Sequence, residues 1–230
     1  MQDAGKLAAR FQRAVQVLDG GLATELEARG HDISGTLWSG HVLLNDPQAI
    51  EALHYDYLKA GADIIIGASY QVSLPGMLAT GYSREEGIRA LELSVELAVN
   101  ARNRYLAENP ADNREPLVSA SVGPYGAYLA NGSEYTGDYG VDSAALREFH
   151  RERVEILLST EADLLACETI PSLEEAKILA GLIAESGQPP AWISFSCRDG
   201  EHICDGTPIR DVVNATMEIN PDLVMSLIHI

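Results

Sequence analysis

The stretch Asp163-Leu-Leu-Ala-Cys-Glu-Thr-Ile-Pro171 decides the fold. Leu164 to Cys167 is an unbroken apolar run. A strand with one wet face would alternate polar and apolar residues, so this strand is buried on both faces. Glu168 breaks the run at its C-terminal end. A carboxylate there must be paired, solvated or used, because leaving it unpaired in an apolar setting costs on the order of several kcal/mol. Pro171 suits the first turn of a helix, whose leading N–H groups have no internal partner. The segment therefore reads as strand, polar edge, helix, and Glu168 either pairs locally or serves a ligand.

The same phrase recurs on both sides. Val15 to Leu18 is a short apolar strand ending in Asp19-Gly20-Gly21, where two glycines allow a tight turn and close approach of a ligand. Leu22 to Arg29 then have helical spacing. A second buried strand, Ala62 to Gln71, carries Ser69, Tyr70 and Gln71 at its end, and Leu117 to Val122 form a third. Beyond the central segment lie strands at Ala191 to Cys197 and Asp222 to Ile230, about six in all. Between them the spacing predicts helices from Asp46-Pro47 to Ala60, from Ser83 with its Glu86 capping box to about Ala107, and over Leu146 to Leu158, Leu173 to Glu185 and Pro208 to Glu218. Leu7 to Ala14 read as a leading helix.

Two connections are long. His31 to Asn45, with Trp38 and His41, is a polar connection that is either a lid or pocket wall or a packed surface loop. The loop from Gly123 to Gly140 gathers Tyr125, Tyr128, Tyr135 and Tyr139, which either wall a pocket able to attract a cation or pack on one another.

Strand and helix alternate without an obvious hairpin, so the strands are parallel and joined by right-handed crossovers. Polar residues collect after the strands, at the face where a TIM-type (β/α)8 barrel places its active site. Such a barrel usually needs about 250 residues and eight strands; this sequence implies an incomplete one. A doubly wound open sheet also accommodates six strands, but neither GxGxxG nor GxxxxGK[ST] is present.

Residues 1–230, with 46% hydrophobic composition, suffice for a single domain. Sixteen basic against thirty-four acidic residues give a formal net charge of −18. That balance opposes binding to nucleic acid or an anionic membrane and is compatible with a cationic small substrate. Cys167, Cys197 and Cys204 show no CxxC spacing, which argues against a disulfide framework and for a reducing cytoplasm. No secretory signal opens the chain, and no apolar run reaches the roughly 18 residues of a membrane span.

Taken together, Asp19-Gly-Gly-Leu-Ala-Thr-Glu25, Leu37-Trp-Ser39, Gly61-Ala-Asp-Ile-Ile-Ile-Gly-Ala-Ser-Tyr-Gln71, Ser121-Val-Gly-Pro-Tyr-Gly-Ala-Tyr-Leu129, Cys167-Glu-Thr-Ile-Pro171 and Ser194-Phe-Ser-Cys197 resemble the homocysteine S-methyltransferase family, its S-methylmethionine-dependent branch most of all. The resemblance runs from about Val15 to Pro221. It implies a (β/α)8 barrel that binds zinc and moves a methyl group from a sulfonium donor, S-methylmethionine or S-adenosylmethionine, to the thiol of homocysteine, giving methionine. It implies that Asp19 and Glu168 hold homocysteine by its ammonium group, and that Trp38, Ser69 and Tyr70 belong to the substrate-binding set.

The same resemblance implies zinc held by three cysteines, one in a Gly-Val-Asn-Cys motif after the sixth strand and two in a later Gly-Gly-Cys-Cys motif. Neither motif occurs in the sequence. The expectation is a C-terminally truncated methyltransferase with its substrate pocket but without its zinc-thiolate centre, poor or inactive in methyl transfer. The alternative is a non-catalytic remnant that binds the amino acid without zinc chemistry. Cys197, His202 and Cys204 could in principle form a small metal site on one loop. An aldolase-like Schiff-base enzyme is disfavoured because Lys6, Lys59 and Lys177 all fall in helices.

Overall fold

A computed structural model describes residues 9–11, 15–33, 39–187 and 189–229. In chain order, α1 (Leu22–Ala28), α2 (Ser39–Asn45) and α3 (Pro47–Ala60) precede β1 (Ile64–Ile66). Then come α4 (Leu74–Ala79), α5 (Arg84–Glu108), β2 (Leu117–Val122), α6 (Tyr125–Leu129), α7 (Ser143–Leu158) and β3 (Leu164–Ile170). The series closes with α8 (Leu173–Glu185), β4 (Ala191–Cys197), α9 (Ile209–Ile219) and β5 (Val224–His229).

All strand pairs are parallel, and the sheet order follows the sequence from β1 to β5. A doubly wound sheet reverses its order at a switch point, whereas a TIM-type barrel adds each strand beside the last. The fold is therefore α/β of the TIM-barrel type, with five strands among the described residues. The expected first strand is reduced to one parallel bridge between Leu18 and Ile64. Val15, Val17 and Leu18 are exposed by 90, 53 and 47%, so this segment lacks the two-sided burial that makes the other strands regular.

Alternation along the strands separates two apolar layers. Ile65, Val118, Ala120, Leu165, Cys167, Ile193 and Phe195 face the helices. Ile64, Leu117, Leu164, Ala166 and Trp192 form the inner cluster, against which Ile66 and Phe11 pack. The inner face thus starts apolar at the N-terminal ends of the strands and turns polar at Ser121 and Glu168.

Short side-chain bridges tie the strand starts together. Asp63 accepts from the Val17 N–H at 2.9 Å, and Asp163 accepts from the Val118 N–H at 2.9 Å while pairing with Arg102 at 2.6 Å. Each of these Asp residues immediately precedes its strand, β1 or β3.

Several helices match their sequence signals. Asp46 caps α3 through the Ala49 N–H with Pro47 in the first turn, and Ser83 with Glu86 forms a complete capping box on α5. Three expectations are corrected. The connection His31–Asn45 contains α2, so it is not a plain loop. The expected strand Ala62 to Gln71 is regular only over Ile64–Ile66, and beyond it Ser73 caps α4 with Pro75 in its first turn. The Gly123–Gly140 loop holds α6 and a 3-10 turn at Ser133–Tyr135. Of the leading helix only residues 9–11 are described, and they are helical. No helix among the described residues is long and apolar enough to cross a membrane.

Candidate ligand-binding site

Asp19 follows the edge segment and Glu168 belongs to β3, with β1 and β2 between them. On a flat sheet three strand spacings would separate them by about 14 Å. Yet both line one cavity of about 400 Å³, together with Gly20, Gly21, Tyr70 and Ser121. Curling of the sheet brings the two carboxylates to one chamber at the C-terminal edge.

A short bond holds each carboxylate. Asp19 accepts from the Ile66 N–H at 2.8 Å, and Glu168 accepts from the Ser121 hydroxyl at 2.9 Å. Burial pushes the Glu168 carboxyl up to about 7, and the Ser121 bond opposes this. Burial likewise pushes Asp19 up to about 7; the Ile66 N–H lowers it, and the nearby Glu168 charge raises it. Among the described residues neither has a Lys, Arg or His ion-pair partner. A cation placed between them would favour the ionised form of both.

The backbone that delivers Glu168 is irregular. The β3–β4 register shifts between Cys167 and Ile170, and Thr169 has φ of +61°. A β-branched residue in the left-handed region is an outlier, tolerated where the surroundings over-determine it. The Thr169 side chain bonds to Tyr70, whose phenol burial holds well above its ordinary pKa.

Ser69 does not line the cavity. Its hydroxyl donates to the Ser121 carbonyl at 2.8 Å and accepts from the Ser121 N–H at 3.1 Å, pinning the strand that offers Ser121 to Glu168. Trp38 lies outside the described residues. Ser121 was not singled out as a binding residue in the sequence, although it alternates with Ser119 on the inner face of β2, whereas the Gly20-Gly21 turn, expected to let a ligand approach closely, does line the cavity. Tyr125, Tyr128 and Tyr139 pack around one another and Phe149 rather than around this chamber. Tyr125 and Tyr128 line a separate, outer cavity of about 440 Å³, and Tyr135 is exposed.

Among the described residues no three His, Cys, Asp or Glu are grouped to hold a metal. Cys167 faces the helix layer, and burial holds its thiol up at about 12, so it offers the chamber no thiolate. His202 turns its Nδ1 to Asp199 at 2.9 Å rather than joining Cys197 and Cys204 as a donor set. Lys59 and Lys177 lie in α3 and α8, away from the strand ends.

Known proteins give this geometry a context. The chain is 50% identical over 197 residues to homocysteine S-methyltransferase YbgG of Bacillus subtilis, covering 85% of this chain and 62% of that protein. It is 51% identical over 199 residues to homocysteine S-methyltransferase of Escherichia coli, covering 86% of this chain and 64% of that protein. The chain thus spans a little over three-fifths of these relatives' length. A crystal structure of the homocysteine methyltransferase MmuM from Escherichia coli in its metallated form superposes with a TM-score of 0.89 at 48% identity, over 95% of this chain and 76% of that one. The family model for homocysteine S-methyltransferase matches residues 16–228. The chain belongs to the homocysteine S-methyltransferase family.

Proposed function

We infer that the chamber binds homocysteine as part of a methyltransferase that moves a methyl group from a sulfonium donor, S-methylmethionine or S-adenosylmethionine, to the homocysteine thiol, yielding methionine. The observation that carries this reading is the convergence of Asp19 and Glu168, two carboxylates without a cationic partner among the described residues, on one chamber. An ammonium group between them would favour the ionised form of both and compensate their burial. Tyr70 offers an aromatic wall, whose face favours a cationic donor. In the transfer itself the homocysteine sulfur forms a bond to the methyl carbon while the donor's sulfur–methyl bond breaks, and a neutral thioether departs. The sulfur attacks as thiolate, and a free thiol titrates near 8.5.

Zinc is the ion that the family resemblance implies as the activator of that thiol. The described residues do not fit it, for want of a three-donor group. The second reading is amino-acid binding without zinc chemistry. Calorimetry with homocysteine separates the two. The methyltransferase reading expects binding that a chelator abolishes and methionine formation from S-methylmethionine. Binding indifferent to chelator, with no methionine formed, supports the second reading, and an absence of homocysteine binding overturns both.

A further inference from the structure

A buried polar network lies behind the chamber wall. Arg153 and His150 on α7 and Glu175 on α8 are exposed by 2, 0 and 0%. One Arg153 terminal nitrogen donates to the Gly123 carbonyl at 2.5 Å and to His150 Nδ1 at 2.9 Å. Because Nδ1 accepts, the imidazole is neutral and carries its proton on Nε2, which donates to Glu175 Oε1 at 2.8 Å. Burial lowers the His150 pKa, in agreement. Glu175 also accepts from the Tyr125 N–H at 2.6 Å and from the Tyr139 hydroxyl at 2.7 Å.

A strut between two helices would need none of the bonds to the chain after β2. Here the Gly123 carbonyl, the Tyr125 N–H and the Tyr139 hydroxyl are all engaged, so the network clamps the turn that follows Ser121. Gly123 in turn bears on Tyr70. A Cβ at Gly123 would meet the Tyr70 carbonyl at 2.5 Å and the Tyr70 ring at 3.0 Å. The path runs from Glu175 through His150 and Arg153 to Gly123, and from there to an aromatic wall of the chamber.

We propose that Arg153, His150 and Glu175 are positioning residues that fix the Tyr70 ring against the chamber through the Gly123 turn. The ligand arm of the test rests on the homocysteine reading above; the structural arm does not.

In the structural arm the chain is labelled with 3-fluorotyrosine, and the Tyr70 and Tyr55 resonances are assigned with Tyr→Phe variants. Arg153→Lys and His150→Leu are expected to shift or broaden the Tyr70 resonance. His150→Gln, which can accept from Arg153 and donate to Glu175, restores it, and Tyr55 on α3 stays in place. A Tyr70 resonance unchanged in folded Arg153→Lys and His150→Leu overturns the proposal. Should both fail to fold, Tyr139→Phe removes one donor to Glu175 and decides the matter by the same shift or its absence.

In the ligand arm Arg153→Lys is expected to weaken homocysteine binding by about 10-fold in the parent chain and by less than about 2-fold in a Tyr70→Ala background. Equal losses in both backgrounds overturn the positioning role. A chain that binds no homocysteine defeats the proposed function, and the fluorine spectra then decide the positioning role alone.

Discussion

The Ser121 hydroxyl donates to Glu168 Oε2 at 2.9 Å, and the backbone of the same serine is clasped on both sides by the Ser69 hydroxyl. Three adjacent strand ends are thereby tied across the floor of the chamber. The hydroxyl bond is also the one that opposes the rise of the Glu168 pKa.

Ser121→Ala should therefore raise the Glu168 pKa further and weaken binding of a cationic ligand near neutral pH. Loss of a bond to a charged acceptor is worth about 1.5–3 kcal/mol, so a loss of roughly 10- to 100-fold in homocysteine affinity is expected by calorimetry at pH 7. The deficit should narrow at pH 9, where Glu168 is ionised in both proteins. A deficit independent of pH would mean that Ser121 contributes shape alone.

Thr169 can be tested by stability. Its φ of +61° is unfavourable for a β-branched residue, and asparagine enters the left-handed region more readily. Thr169→Asn is expected to stabilise the chain by about 1 kcal/mol, or roughly 2–4 °C in Tm. Thermal melts that place the variant below the parent would show that the Thr169 side chain, through Tyr70, is worth more than the relieved strain.

Much of this fold was legible because β2, β3 and β4 are buried on both faces, so that small serines are all that interrupts the apolar residues of β2 and β4, and β3 is apolar up to Glu168. The edge segment at Leu18 looked the same in sequence, but it pairs by a single bridge, a tertiary circumstance that composition does not encode. Helix α4 was hidden by Pro75 and Gly76, which look like breakers until Ser73 is recognised as the cap that makes proline welcome in the first turn. Asp19 and Glu168 stood out as carboxylates closing apolar strands. The Arg153 network carried a subtler signal. Leu146, Phe149, Arg153, Val154 and Leu157 share the buried stripe of α7, so a histidine and an arginine on that stripe required buried partners.

Ser83→Ala separates folding from binding. The Ser83 hydroxyl accepts from the Glu86 N–H at 3.2 Å while the Glu86 carboxylate accepts from the Ser83 N–H at 2.7 Å. Removing the cap costs about 1 kcal/mol, seen as a Tm lower by roughly 2–4 °C. Homocysteine affinity should not change, because neither Ser83 nor Glu86 lines the chamber; a parallel loss of affinity would contradict that separation.

The pH dependence of stability tests the two carboxylates together. Asp19 and Glu168 rise from ordinary values of 3.8 and 4.5 to about 7 in the folded chain. Between those limits the folded state binds more protons than the unfolded state, so the stability slope with pH is negative. The contribution from this pair is full below pH 4, fades as pH rises through 7, and is gone above it. Other carboxylates act oppositely: Asp112 and Asp199, held below the usual range chiefly by hydrogen bonds from Arg114 and the Glu201 N–H, lose their contribution on acidification. The decisive quantity is therefore a difference between proteins. An Asp19→Asn, Glu168→Gln double variant should gain stability relative to the parent as pH climbs from 5 to 8, since its amides carry no charge to bury. Homocysteine should stabilise the parent more at pH 8 than at pH 5, and should leave the variant's Tm unmoved. A parent and variant whose melting curves run parallel from pH 5 to 8 would mean that neither carboxylate carries a raised pKa, and the chamber would lose its electrostatic claim on a cation.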